Sequence, residues 1–229
     1  MPLTLYLHPL ASFCQKVLIA FYENAVVFRG ETVDLLDPGS AAPLLAKWPV
    51  GKIPVLYDAA RERVIPETSI IIEYVQQHYP GPLQLLPAGM DEQIEARLWD
   101  RFFDLYIGVP MQRIVTDRLR PEDGKDPLGV ADARRTLDSA YAMLDAQVRD
   151  KAWAIGGYFT IADCAAAPAL LYASIVHPFS REQRHLQAYF ERLRDRPSIR
   201  RTLQEARPFF SMFPYRDAMP DRYLRDETA

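Results

Sequence analysis

Apolar positions along this chain change their period partway through, and the change divides it into two regions. In the first third they come in short runs edged by turn formers: Leu3-Thr4-Leu5-Tyr6-Leu7, Thr32-Val33-Asp34-Leu35, Val55-Leu56-Tyr57 and Arg63-Val64-Ile65. Runs of that length, rich in β-branched and aromatic residues, read as strands. Val26-Val27-Phe28 extends the second of them, with a bulge predicted at Gly30. A period nearer 3.6 interrupts the strands over residues 12–24, where Phe13, Val17, Ala20, Phe21 and Asn24 share a face. Residues 41–48 make a short irregular helix after the turn Asp37-Pro38-Gly39-Ser40, and Pro66-Glu67-Thr68-Ser69 opens an apolar helix.

Past Pro80-Gly81-Pro82 and Pro87-Ala88-Gly89 the strand signal stops and only helical spacing continues. Ile94, Leu98, Phe102, Leu105 and Val109 mark one face of a long helix, predicted to bend near Pro110. Leu137, Tyr141, Leu144 and Val148 mark another. The stretch from Thr160 to Tyr172 is apolar almost all round and so reads as a buried central helix, despite Pro168. Residues 183–195 and 198–206 are two last helices separated by Pro197. Two of these starts, Ser12-x-x-Gln15 and Thr160-x-x-Asp163, fit a capping box, in which hydroxyl and third-position side chain each bond the other's backbone N–H. The fold class is α/β plus all-α: an α/β unit over 1–80, a linker over 81–90 and a helical unit over 91–229.

Composition narrows the function classes. The 229 residues are 49% apolar and 25% charged, as in an ordinary globular protein. A net charge of −3 gives no basic footprint for nucleic acid or an anionic membrane, so neither is expected as a partner. The chain enters its first strand with no basic and apolar leader, and no stretch is long enough to span a bilayer. Only Cys14 and Cys164 are present, far apart and without zinc spacing, which suits a reducing cytoplasm and predicts no metal site.

Two short stretches carry the chemistry. In Gly51-Lys52-Ile53-Pro54 the proline has no N–H and suits a strand entry; a cis Ile53–Pro54 bond would aim the N–H and C=O of Ile53 outward. Glu67-Thr68 stands at a helix start, where unpaired N–H groups and a partial positive charge favour a bound carboxylate. Glu67 itself could serve only the helix dipole there, worth about 0.3–1 kcal/mol.

The β-α-β, loop-Pro, β-β-α order is that of a thioredoxin-like domain, and with the Gly-Lys-Ile-Pro loop and the Pro-Glu-Thr-Ser helix start the chain resembles the glutathione S-transferase family. The resemblance implies glutathione as co-substrate. Glu67 and Thr68 would hold its γ-glutamyl carboxylate and ammonium, Ile53 with Pro54 would pair main chain with its cysteinyl part, and Lys52 would reach its glycyl carboxylate. Trp48-Pro49 stands where the family often has Asn-Pro. The position that usually supplies a thiol-activating Ser or Cys is Ala11, which leaves the neighbouring Ser12 as the expected donor to the sulfur and Cys14 as the alternative. Ser12 is otherwise a plain helix cap, and Cys14 otherwise a buried core residue. Asp163 belongs to a folding motif, and Tyr6 to the core. His8 is a turn residue, and His78, His177 and His185 lack partners at ligand spacing.

An acceptor pocket is expected from Phe103, Tyr106 and Arg113 on the first long helix of the second unit, with the apolar tail 208–215 covering the cleft. The implied activity is transfer of glutathione thiolate to a hydrophobic electrophilic small molecule, as in detoxification, or a glutathione-dependent isomerisation. Glutathione-dependent thiol transfer through Cys14 and non-catalytic ligand binding are the alternatives. A homodimer follows from the resemblance alone.

Overall fold

The computed structural model describes residues 2–224. Strand β1 (Leu3–Leu7) shows why the first unit forms a sheet between layers. Leu3, Leu5 and Leu7 enter one large core, while Tyr6 points the other way into a small cluster with Val33, Leu44 and Val55. That alternation requires cover on both faces. Helix α1 (Ser12–Glu23) and helix α3 (Thr68–His78) supply it on one side, and α2 (Pro38–Leu45) on the other.

The four strands lie in the order β2-β1-β3-β4, with β2 at Arg29–Thr32, β3 at Val55–Asp58 and β4 at Arg63–Pro66. β1 and β2 are parallel across the α1 crossover, and β3 runs antiparallel to both β1 and β4. This is the thioredoxin-like arrangement. β2 differs from its sequence reading. Gly30 pairs opposite Leu5 in an unbroken register, with no bulge, and Val26-Val27-Phe28 lies ahead of the strand. The Phe28 ring is drawn onto Phe21 of α1, centroids 5.1 Å apart, so side-chain packing competes there with strand pairing. Helix α2 likewise starts earlier than expected, at Pro38, because the Asp37 side chain accepts from the Gly39 N–H at 2.9 Å.

The rest is helical: α4 (Met90–Phe102), α5 (Val109–Leu119), α6 (Pro127–Gln147), α7 (Ile161–Val176), α8 (Arg184–Arg194), α9 (Pro197–Ala206) and the short α10 (Asp221–Leu224). The predicted bend near Pro110 takes the form of a wide π-type turn over Phe103–Gly108, just ahead of the proline. Helix α7 is buried nearly throughout, and the Thr160–Asp163 capping box forms. Asp163 also accepts from Ala154 N–H at 2.9 Å and Tyr189 O–H at 2.7 Å, so one buried carboxylate ties three segments together.

The stripe Ile94, Leu98, Leu105 and Val109 exists as read but faces solvent, and only Phe102 of that set is buried. The inward face carries Ala96, Asp100, Phe103, Ile107 and Met111 instead. The apolar tail turns back onto the helical unit, burying Phe210 and Phe213, with the Phe213 ring 5.2 Å from Tyr172 and Phe209 edge-on to His8. Among the described residues no helix is long and apolar enough to cross a membrane.

Candidate functional site

A cavity of about 440 Å³ opens where three loop ends of the first unit meet α4 and α5. Its first wall is the start of α1, through Ala11 and Phe13. Its second is the strand-entry loop, through Lys52, Ile53 and Pro54; its third is the start of α3, through Pro66, Glu67 and Thr68. Arg101, Asp104, Leu105, Val109 and Gln112 close it from the helical side, and Leu35 and Trp48 also line it.

The loop reaches this place by local backbone geometry. Gly51 has φ +67°, a region glycine enters without a steric penalty, and the Ile53–Pro54 bond is cis. Pro54 is buried, and the half-buried Ile53 packs against both apolar clusters while lining the cavity. At the third wall, Glu67 has φ +68° and ψ 121°, a strained conformation for a residue with a Cβ. It leaves the Glu67 side chain exposed and Thr68 buried as the first helical residue. Neither α1 nor α3 has a side chain bonded to its first N–H groups, so these donors remain for solvent or a ligand.

Beneath the cavity lies a buried ionic cluster. The Lys16 ammonium, on α1, is 2.7 Å from Asp100 Oδ1 and 2.8 Å from Asp104 Oδ2, and it donates to Ser69 Oγ at 3.0 Å. Ser69 in turn donates to Asp100 Oδ2 at 2.6 Å, and Arg101 to Asp104 Oδ2 at 3.1 Å. The Lys16–Asp104 contact is a well-directed hydrogen bond, whereas the close Lys16–Asp100 contact is ionic without that alignment. Burial pushes the Asp104 carboxyl up; Lys16 pulls it back down and Asp100 adds to the push.

Lys52, Ile53, Pro54, Glu67 and Thr68 thus come together in one cavity, from two stretches separated in sequence. Ser12 does not join them as a wall. It is the first helical residue of α1 and only 7% exposed, and the capping position falls on Ala11. The predicted Ser12–Gln15 capping box therefore does not form. The Gln15 amide donates instead to Pro9 C=O at 2.9 Å and Tyr172 O–H at 2.8 Å, so a tertiary tether replaces the local cap. Cys14 is fully buried, its sulfur accepts from the His8 N–H at 3.4 Å, and burial pushes its thiol up to about 12.

The residues expected to form the acceptor pocket are placed elsewhere. Phe103 is fully buried in the core, Tyr106 lies in a separate surface groove between α4 and α6, and Arg113 pairs with Asp126 at 3.0 Å. The wide turn over 103–108 re-phases the helix here, which a uniform 3.6 period could not reveal. Leu105, Val109 and Gln112 line the cavity in their place. The acidic pair Asp100 and Asp104, four positions apart on an otherwise core-facing stripe, was the sequence signal for the buried cluster. His177 has a structural place: Asp138 lies 2.7 Å from its Nε2 and Arg134 3.2 Å from its Nδ1, bonds that hold the end of α7 against α6. Among the described residues no group of His, Cys, Asp and Glu could hold a metal ion.

Comparison with known proteins gives a consistent result. A family model described as glutathione S-transferase, N-terminal domain, matches residues 5–83, and one described as glutathione S-transferase, C-terminal domain, matches residues 105–197. The chain is 24% identical over 163 residues to the glutathione S-transferase GstB of Escherichia coli, covering 71% of this chain and 78% of that one. It is 30% identical over 160 residues to the glutathione S-transferase-like protein LUC7 of a Fusarium species, covering 69% and 71% respectively. Among solved structures, a glutathione S-transferase from Methylobacillus flagellatus with GSH bound superposes with a TM-score of 0.80 at 21% identity, over 87% of this chain and 98% of that one.

Proposed function

The chain belongs to the glutathione S-transferase family, and from that premise we propose that its cavity binds glutathione and presents the thiolate to a hydrophobic, electrophilic small molecule. One observation carries this reading: the cis-proline loop at Ile53-Pro54 and the uncapped helix start at Glu67-Thr68 line the same cavity of about 440 Å³. The GSH in the Methylobacillus structure lends further support.

The amino-acid head of the tripeptide has one carboxylate and one ammonium on a single carbon. The first N–H groups of α3, with the Thr68 hydroxyl, suit the carboxylate, while Glu67 suits the ammonium. The main chain of Ile53 pairs with the cysteinyl part in the manner of strand addition, and Lys52 meets the glycyl carboxylate. The sulfur then lies toward α1, where first-turn N–H groups, with Ser12 beside them, favour thiolate over thiol. Lowering the thiol pKa and holding both reactants within reach is the catalytic contribution. Leu105, Val109 and Phe13 give the acceptor side an apolar wall. Thiol transfer through Cys14 is the weaker reading, because a fully buried sulfur with a raised pKa is a poor nucleophile.

Non-catalytic glutathione binding is favoured by a different observation: Ala11 brings a methyl group, with no hydroxyl or thiol, to the cavity wall. A cytoplasmic homodimer completes the proposal. Two buried free cysteines suit a reducing compartment, and the exposed Ile70, Ile94 and Leu98 on α3 and α4 suit burial against a second copy. A glutathione-soaked crystal structure, paired with thiolate absorbance of the complex, tests the reading. We expect the sulfur at the first turn of α1 and a thiolate band at neutral pH. Bound glutathione without that band would favour the non-catalytic reading, and glutathione seated away from Ile53 and Thr68 would overturn both.

A further inference from the structure

Lys16 is a buried cation, with its side chain 1% exposed. All three of its partners lie on other elements: Ser69 on α3, Asp100 on α4 and Asp104 in the wide turn. All three of those elements also wall the cavity, through Thr68 next to Ser69, Arg101 next to Asp100, and Asp104 itself. Burying an ammonium costs several kcal/mol unless geometry and further hydrogen bonds offset it. A core lysine used only for packing would be replaced at less cost by an apolar side chain. Lys16 instead sits where one atom can fix the spacing between the α3 start and the Asp104 carboxylate.

The geometry points to Lys16 as a positioning residue: its ammonium keeps Asp104 ionised and aimed at the cavity, and through Ser69 it registers the first turn of α3 against that carboxylate. The cavity then offers a fixed set, helix N–H groups for a carboxylate and Asp104 together with Glu67 for an ammonium, which selects ligands carrying a free amino-acid head. This rests on the proposal that the cavity holds glutathione, and adds a group of this chain that never touches the ligand.

The groups facing Asp104 are Lys16 from α1, with Asp100 and Arg101 from α4. Burial and Asp100 both favour its protonated form, and Lys16 is the strongest influence opposing them. Without Lys16 the carboxyl therefore takes up a proton at higher pH, and ligand binding through its ionised form is regained only as pH rises.

The test is calorimetric titration of the full chain with S-methylglutathione, whose sulfur does not titrate, between about pH 6 and about pH 8, using two variants whose folding is checked by thermal unfolding. Lys16→Met/Asp100→Asn removes one positive and one negative charge, so the buried cluster keeps its balance. Asp104→Asn preserves shape and leaves Lys16 in place. Wild-type affinity should be flat across the range. Asp104→Asn should bind about tenfold more weakly at every pH. The double variant should be weaker by a similar factor near pH 6 and recover toward pH 8, a slope that a purely structural role would not produce. Folded variants with wild-type affinity at every pH would overturn the role of Lys16 while leaving the glutathione reading intact. Absence of uptake by the wild type would overturn both.

Discussion

Two helix starts carry the same signature in sequence and opposite outcomes in structure. At the start of α7, Thr160 and Asp163 satisfy one another, and the Asp163 carboxylate further takes the Ala154 N–H and the Tyr189 hydroxyl. At the start of α1, Ser12 and Gln15 form no such box, Ala11 caps nothing, and the first turn faces a cavity. The difference separates a helix end that completes a core from one that is left open. A buried terminus must pair its own N–H groups, because an unpaired buried donor costs about 1–3 kcal/mol. A terminus at a binding cavity can leave them for a guest.

The sharpest way to break this contrast is to damage the closed end. Asp163→Ala would strand the Ala154 and Thr160 N–H groups and the Tyr189 hydroxyl in the core, and should cost about 3 kcal/mol of stability in denaturant unfolding. Glutathione affinity of the folded fraction should hardly change. A loss of affinity with stability retained would mean that α7 belongs to the site after all.

A change at α3 trades the two properties against each other. Glu67 holds φ +68°, so Glu67→Gly should relieve strain and raise stability by about 1 kcal/mol. The same change removes a carboxylate from the cavity and should weaken glutathione binding about tenfold. Thermal unfolding and calorimetry on one preparation give both numbers, and a destabilised Glu67→Gly would remove the case for strain held in place for function.

At the open end of α1, Ala11→Ser should close part of the contrast. A hydroxyl at the capping position should add about 0.5–1 kcal/mol of stability. It also places a donor at the cavity wall, and should raise the thiolate absorbance of the glutathione complex. Stability gained without any change in that absorbance would place the sulfur away from α1.

The smallest effect concerns Cys14. Its thiol is raised from 9.0 to about 12, so the protonated form persists through the physiological range. At pH 8 only on the order of one molecule in ten thousand carries the thiolate. Alkylation of native protein at Cys14 should therefore stay near zero from about pH 6 to about pH 9, as followed by mass spectrometry. Rapid labelling there would revive thiol transfer as the activity.

Much of this was legible in the chain itself, for identifiable reasons. Strand alternation in Leu3–Leu7, the Gly51–Pro54 loop and the Pro66–Thr68 helix start are local signals, and each lands where the residues require. The capping box at Thr160 was legible because both partners are near neighbours. What escaped depends on distant contacts. Gln15 finds Tyr172, more than a hundred and fifty positions away, and so abandons its local cap. Lys16 is by local sequence one more polar position on α1, and only Asp100 and Asp104 give it a reason to be buried. Leu105 and Val109 line the cavity where Phe103 and Tyr106 were expected, because the wide turn re-phases the helix, and the period of the flanking residues does not record it.

The central claim is that the cavity grips a tripeptide thiol by its amino-acid head as well as its backbone. Calorimetric titration with glutathione, run beside cysteinylglycine, which lacks the γ-glutamyl group, tests it most directly. Saturable heat is expected with glutathione and none with the dipeptide at the same concentrations. Equal binding of the two, or no uptake of either, would contradict the account.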